Sequence, residues 1–445
     1  MSDRREAVLL FTPEWNGMHP GAWRLEGTPE DGAMDFRVVE GLVRQAEAAK
    51  FHGLFLADPT GFRLDIGYEG LGKTGTAARF EPFTLMAALA ARTERIGLIM
   101  TAGTTYEEPY MVARRFASLD HLSQGRAGWN IVTTGTKGVA RHFGRDELMA
   151  HDLRYERGGE FVEAVLELWD SFDDDAFPRD KRQGVFFDAE KLHVARRKGT
   201  HISLEGPLNV ARPIQGHPVL AQAGSSPIGQ EFAARFAEVM FTLQPTIEKG
   251  RAFRAGMREK AAAFGRTEDS IMILPALTLV VARTDAEAQE KFDRMDALVD
   301  PAVGLELLSS MIDMDLTGHD IDGSLPEVPE TELGTKTVQK FFVDKAQEDG
   351  LTIRELISFM LRWGAVGGSP QTIADHIEEW VGEGACDGFN VTFADMPESM
   401  DMFCDEVIPE LQRRGVFQTE YRGRTLRENL GLARPASVFA SGAVR

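Results

Sequence analysis

Eight times along the chain a short apolar run gives way to a longer stretch with helical spacing. No other feature restricts the fold so much. Parallel strands need long crossovers, usually helical, and are buried on both faces by those helices. The runs are 7–12 (AVLLFT), 53–58 (GLFLAD), 96–103 (IGLIMTAG), 125–135 (GRAGWNIVTTG), 218–226 (PVLAQAGSS), 237–243 (AEVMFTL), 271–282 (IMILPALTLVVA) and 387–393 (DGFNVTF). Helical patterns follow each. At about 35–51, Val38, Val39, Leu42, Val43, Ala46 and Ala49 recur at the spacing of one helix face. Others fall at about 83–92, 109–123, 154–172, 246–264, 284–298 and 398–414, and a further helix starts after 226. The economical α/β solution is a closed (β/α)8 TIM barrel with insertions, which leaves no strand edge. An open doubly wound sheet obeys the same alternation and stays open at this point.

Two segments break the repeat, at about 173–217 and 300–370, and read as insertions over one end of the barrel. A single domain over 1–434 with a C-terminal tail, 435–445, accounts for the 445 residues. The Arg-rich stretch from 415 onward reads as a surface wrap. The two insertions are the segments available as lids.

Charge and composition narrow the function. Lys and Arg number 49 against 69 Asp and Glu, a net charge of -20, which disfavours nucleic acid and anionic membrane surfaces. No run approaches the ~20 apolar residues of a membrane span. The N-terminal apolar run is too short for a signal sequence, so a cytoplasmic protein is expected. With two cysteines, and ten histidines in no H-x-H or H-E-x-x-H pattern, neither a disulfide framework nor a metal site is expected.

Several residues carry chemistry. Gly67, Gly72, Lys73 and Thr74 spell a phosphate-binding P-loop, but the motif requires a strand before it and a helix opening on it. Here GFRLDI precedes, and Pro82 follows within eight residues, so a loop at the barrel mouth is the better reading. Gly224, Ser225 and Ser226 end a strand and open a helix, which suits either an anion site or an ordinary N-cap. Asp58, Thr101, Thr104, Asn130 and Thr134 all fall at the C-terminal ends of strands, where barrel enzymes keep their chemistry. Any one of them alone reads as a cap or turn residue. His151 and Tyr155 are four apart and share a helix face. His19 lies near Trp23, and Trp129 and Phe241 read as core. No Ser-His-Asp order, activated cysteine or carboxylate pair stands out, which suits a cofactor bringing its own reactivity.

GRAGWNIVTT, HDLRYERGGEFVE, GHPVLAQAGSS, and GACDGFNVTF with VIPELQRRGVFQTEYRGRTLRENLGL, in that order, resemble the bacterial luciferase-like flavin monooxygenases. The similarity, from about residue 7 to 434, is to the branch of nitrilotriacetate, dibenzothiophene-sulfone and long-chain alkane monooxygenases. It implies a TIM barrel and two-component chemistry. An NAD(P)H-dependent flavin reductase supplies reduced FMN, and O2 forms a flavin C4a-peroxide or hydroperoxide that oxygenates a small organic substrate. The resemblance puts Asp58, Thr101, Thr104 and Asn130 at the flavin ring, and His151, Tyr155, Gly224, Ser225 and Ser226 at its phosphate. His19, Thr134 and His319 fall on the substrate or oxygen side, with His19 or His319 as proton donor or anchor. Two departures concern the substrate wall: Gly103, where many relatives carry Ser, and the Lys73–Thr74 loop. A homodimer or homotetramer is expected. The rivals are a deazaflavin- or flavin-dependent hydride-transfer enzyme on the same fold, a P-loop phosphotransferase and a non-catalytic flavin-binding barrel.

Overall fold

A computed structural model describes residues 6–61, 67–135, 139–224, 226–329 and 336–440, the side chains of 336 and 337 excepted. In chain order the strands are β1 (Val8–Phe11), β2 (Gly53–Leu56), β3 (Gly97–Gly103), β4 (Ala127–Val132), β5 (Ala195–Lys198), β6 (Ser203–Gly206), β7 (Val219–Gln222), β8 (Val239–Thr242), β9 (Met272–Val281), β10 (Ala365–Gly368) and β11 (Gly388–Phe393). The order β9-β11-β1-β2-β3-β4-β7-β8 closes on itself through β8–β9, with every pairing parallel. This is the (β/α)8 TIM barrel, and the closed ring excludes the open sheet. All eight apolar runs supply its strands.

Alternation along each strand separates two cores. Leu10, Phe55, Ile99, Val219, Ala221, Val239 and Leu274 fill the barrel interior. Their neighbours Leu9, Leu54, Leu98, Trp129 and Leu220 face outward and pack under the helices. Trp129 is fully buried between Phe116, Phe161 and Trp169. Phe241 is half-buried rather than core; it stacks on Phe55 (6.3 Å, 18°) within the barrel.

Three segments differ from expectation, each because a tertiary partner outweighs local pattern. Helix Asp285–Leu298 follows β9 and meets its C-terminal end at Val280. Its buried stripe of Ala288, Phe292 and Met295 packs with Ala22, Val280 and Ala394 in a separate cluster. The main core under the helices is completed here by Pro370–Gly382, whose Trp380 meets Phe389 on β11. Between the two lie three helices (Pro301–Ile312, Lys336–Asp349, Ile353–Arg362) with a core of their own, and β10, a ninth strand added beside β9.

The segment 173–217 packs on the barrel's outer helices. Its β5–β6 hairpin lies along helix His151–Trp169, held by Arg197 to Glu163 (2.6 Å) and Glu167 (2.9 Å) and by Glu160 accepting from three successive backbone N–H groups. The last segment, 415–440, does more than wrap the surface. Leu426 and Leu430 close the N-terminal end of the barrel against Leu10, Ile99 and Val219. Arg427, buried beside them, bonds Glu238 (2.6 Å) and the His217 carbonyl (2.8 Å).

Candidate active site

At the C-terminal mouth, the ends of β2, β3 and β4 share one hydroxyl. Thr101 Oγ1 accepts from the Asp58 backbone N–H (3.1 Å) and from Asn130 Nδ2 (2.8 Å), and donates to the Leu56 carbonyl (3.3 Å). That geometry fixes the Asn130 amide and leaves its Oδ1 buried without a partner. Buried polar atoms are normally satisfied, so an orphan at a barrel mouth marks a place for a ligand. Burial pushes the half-buried Asp58 carboxyl above the usual carboxylate range, against the Thr60 N–H and the positive charge of Arg79.

A second group of orphans sits to one side. Thr104 Oγ1, fully buried, has no partner and faces Gly158 on helix His151–Trp169. On the same helix Arg154 is 8% exposed and donates to the Thr134 carbonyl (2.8 Å). Among the described residues it has no carboxylate partner. Buried cations are otherwise paired. Next to it, Tyr155 packs on Phe232 and His151. Helix Pro227–Phe236 begins here, capped by Ser226, which accepts from Gly229 N–H (3.2 Å). A Cβ at Gly229 would lie 2.9 Å from Tyr155 Oη and 3.0 Å from Ser226 Oγ, and one at Gly224 would strike the Gln222 carboxamide. The two glycines therefore keep open a small cradle lined by Tyr155, Ser226, Gln222 and a helix N-terminus, a chemistry that favours an anion.

The expected residues thus divide. Asp58, Thr101 and Asn130 form one linked set. Thr104, Tyr155, Gly224 and Ser226 gather with Gly229 at the other. His151 stands at the exposed rim, its Nδ1 3.0 Å from Asp152. Ser225 lies outside the described residues. Thr134 is buried, and a Cβ at Gly103 would fall 2.7 Å from its Oγ1, so the missing side chain at 103 makes room for this hydroxyl. His319 is on an exposed turn of the helical insertion. His19 is buried with both ring nitrogens engaged, by Gly21 N–H (3.1 Å) and Asp296 (2.9 Å).

Arg154, Gln222 and Gly229 escaped the sequence reading. The signals present were Arg154 beside Tyr155 in RYERGG, and the second glycine five residues after the first. The P-loop spelling has no P-loop structure: Tyr68–Leu71 is a single helical turn, and the next helix opens only at Pro82. Lys73 pairs instead with Asp300 (2.9 Å) on the insertion. No group of His, Cys, Asp and Glu able to hold a metal occurs among the described residues. No helix among them is long and apolar enough to cross a membrane.

Comparison with known proteins bears on the family of the chain. A family model described as luciferase-like monooxygenase matches residues 8–386. The chain is 44% identical to nitrilotriacetate monooxygenase component A of Aminobacter aminovorans, over 99% of each chain. It is 43% identical to N-acetyl-S-(2-succino)cysteine monooxygenase of Bacillus subtilis (strain 168), again over 99% of each. Among solved structures, DmoA from Hyphomicrobium sulfonivorans superposes with a TM-score of 0.85 at 32% identity, covering 96% of this chain and 92% of that one. The chain belongs to the luciferase-like monooxygenase family and is a flavin-dependent monooxygenase.

Proposed function

We propose that the chain is the oxygenase of a two-component system, taking reduced FMN from a separate NAD(P)H-dependent flavin reductase and oxygenating a small organic substrate. The observation that carries this reading is the cradle between Gly224 and Gly229, with buried Arg154, which has no carboxylate partner among the described residues, next to Tyr155 of its lining. One phosphate needs one small anion site, and this one lies next to orphaned ring-edge partners rather than on a dinucleotide turn.

In this reading Arg154, Tyr155, Ser226 and the Gly229 end of the helix hold the phosphate, with Ser225 and His151 as further expected contacts. Asn130, fixed by Thr101, turns its free Oδ1 to an N–H of the ring edge. Thr104 offers its unpartnered hydroxyl, and Asp58 borders the ring at the mouth. Reduced flavin supplies two electrons for activating O2, one oxygen atom going to the substrate and the other leaving as water. What the protein supplies is position and dryness. Water exclusion falls to the insertion, which reaches the mouth through Asp300 to Lys73 and through Glu306, accepting from Gly67 N–H (3.0 Å). Thr134 borders the substrate side, and His319 reaches it only through movement of the insertion.

Purified protein is mixed with FMN, a flavin reductase, NADH and air, and oxygen uptake is followed across a substrate panel. Uptake above the background of uncoupled peroxide formation, with an oxygenated product, supports the reading. Tight binding of reduced FMN with no product from any substrate would favour the non-catalytic barrel instead.

A further inference from the structure

Three segments far apart in sequence meet at one carboxylate. Asp296, on helix Asp285–Leu298, faces the β1 loop with one oxygen and the insertion with the other. Its Oδ1 lies 2.9 Å from His19 Nε2. Its Oδ2 accepts from Arg362 Nε (2.8 Å) and Nη2 (2.6 Å) and from the Ser358 hydroxyl, all from helix Ile353–Arg362. Arg362 also bonds Asp293 (2.7 Å) and lies over the Phe292 ring (5.4 Å). We propose that Asp296 is a positioning residue that seats the helical insertion on the barrel mouth, with His19 as its fixed hydrogen-bond donor rather than as the proton donor of the reaction.

The tautomer of His19 supports this. Gly21 N–H donates to Nδ1 (3.1 Å), so in the neutral ring the proton is on Nε2, and Asp296 receives it. The imidazole side chain is 1% exposed. A general acid must offer its proton to the reacting group, and here both nitrogens are already committed. Burial opposes ionisation of Asp296, yet the bonds from His19, Ser358 and Arg362 hold its carboxyl below the usual range. Charge-assisted bonds of this kind are stronger and more directional than the exposed Lys73–Asp300 pair. Asn in place of Asp296 would present an N–H to one of these donor sets, so it cannot hold both at once.

The consequence is for water exclusion. With the insertion seated, O2 is divided between product and water. With it loose, the two electrons of reduced flavin leave with O2 and two protons as free H2O2. Four variants, Asp296→Asn, Arg362→Met, His19→Gln and His19→Ala, are compared by hydrogen-exchange mass spectrometry and by product formed per O2 consumed. Asp296→Asn, Arg362→Met and His19→Ala raise exchange in 353–362 roughly tenfold or more, corresponding to opening of this segment, with 151–169 unchanged as the folding control. In the same three, the share of O2 recovered as H2O2 rises severalfold. His19→Gln keeps an amide N–H toward Asp296, and so retains protection of 353–362 and most of the product yield. If His19→Gln abolishes turnover while 353–362 stays protected, His19 is the proton donor and the proposal fails. Parental exchange in Asp296→Asn overturns it equally. The product readout rests on the monooxygenase reading and the exchange readout does not, so a parent inactive on every substrate would leave exchange to decide.

Discussion

Lys73 Nζ lies 2.9 Å from Asp300 Oδ2, and Glu69 approaches the same ammonium at 3.8 Å. The pairing converts a stretch spelled like a nucleotide-binding loop into a tether between the β2 loop and the insertion. Its backbone agrees, since Gly67 N–H is spent on Glu306 and the Lys73 carbonyl accepts from Trp23 Nε1 (3.0 Å). An ammonium already neutralised has no charge to offer to a triphosphate.

The expected behaviour of Lys73→Ala follows. Neither the parent nor the variant hydrolyses ATP above a no-protein control, and Tm changes by no more than about 2 °C, as for other exposed ion pairs. ATP turnover in the parent that disappears in the variant would restore the P-loop. Faster hydrogen exchange in 67–74 is the positive sign of a lost tether.

The cradle makes a sharper prediction. A methyl at Gly229 would come 2.9 Å from Tyr155 Oη and 3.0 Å from Ser226 Oγ, filling the space assigned to phosphate. Gly229→Ala weakens reduced FMN about tenfold or more, near 1.4 kcal/mol, and leaves riboflavin, which has no phosphate, within about twofold. Anaerobic equilibrium dialysis with both flavins measures this. Ser226→Ala and Ser225→Ala together shift the same ratio, with about 1 kcal/mol of helix stability lost from the Ser226 cap. Equal losses for the two flavins would remove the phosphate from this site.

Thr101 holds two donors, the Asp58 N–H and Asn130 Nδ2, with a single oxygen. Thr101→Val keeps the shape and removes the acceptor. Stability falls by about 1–3 kcal/mol for the buried donors left unpaired, measured by urea unfolding, and flavin affinity falls because the Asn130 amide is released. A variant as stable as the parent would show that the amide finds another partner.

His52 sets an acid limit. It is buried against Phe417, with Nδ1 accepting from Leu9 N–H (3.3 Å), and burial, helped by Arg422, pushes its imidazole down to about 3. Below the ordinary histidine range the unfolded chain takes up a proton that the folded chain refuses. Stability therefore falls as pH drops from about 6.5 toward 3, by up to about 1.4 kcal/mol per pH unit from this group. His52→Asn, which keeps an acceptor, flattens that slope in urea unfolding series at pH 4, 5, 6 and 7. An unchanged slope would assign the acid sensitivity to other groups.

The fold was legible because short apolar runs and longer stretches of helical period leave different marks on the same chain. The strand-end residues Asp58, Thr101 and Asn130 were legible for a related reason, since position on a barrel strand dictates which end faces the chemistry. The packing of helix Asp285–Leu298 was not. Ala288, Phe292 and Met295 make the same stripe whatever they meet, and only the folded chain shows that their partners are Ala22, Val280 and Ala394. The packing of the hairpin at 195–206 was not legible either, because a sequence does not show that Glu163 and Glu167 bond Arg197 or that Glu160 accepts from the backbone of 200–202. Arg154 was missed for the converse reason: a sequence shows a charge, but not the absence of its counter-charge.

Closure of the barrel also bears on how it is made. β1 pairs with β11 in register Leu10–Asn390, across 380 residues, and β11 is the strand that joins β1 to β9. Both facing edges stay unpaired until residues 388–393 have been made. The leucines that stop the far end, Leu426 and Leu430, arrive later still. Synthesis thus passes through a long phase of open, aggregation-prone sheet. Yield of active enzyme should accordingly rise with chaperone supply during synthesis.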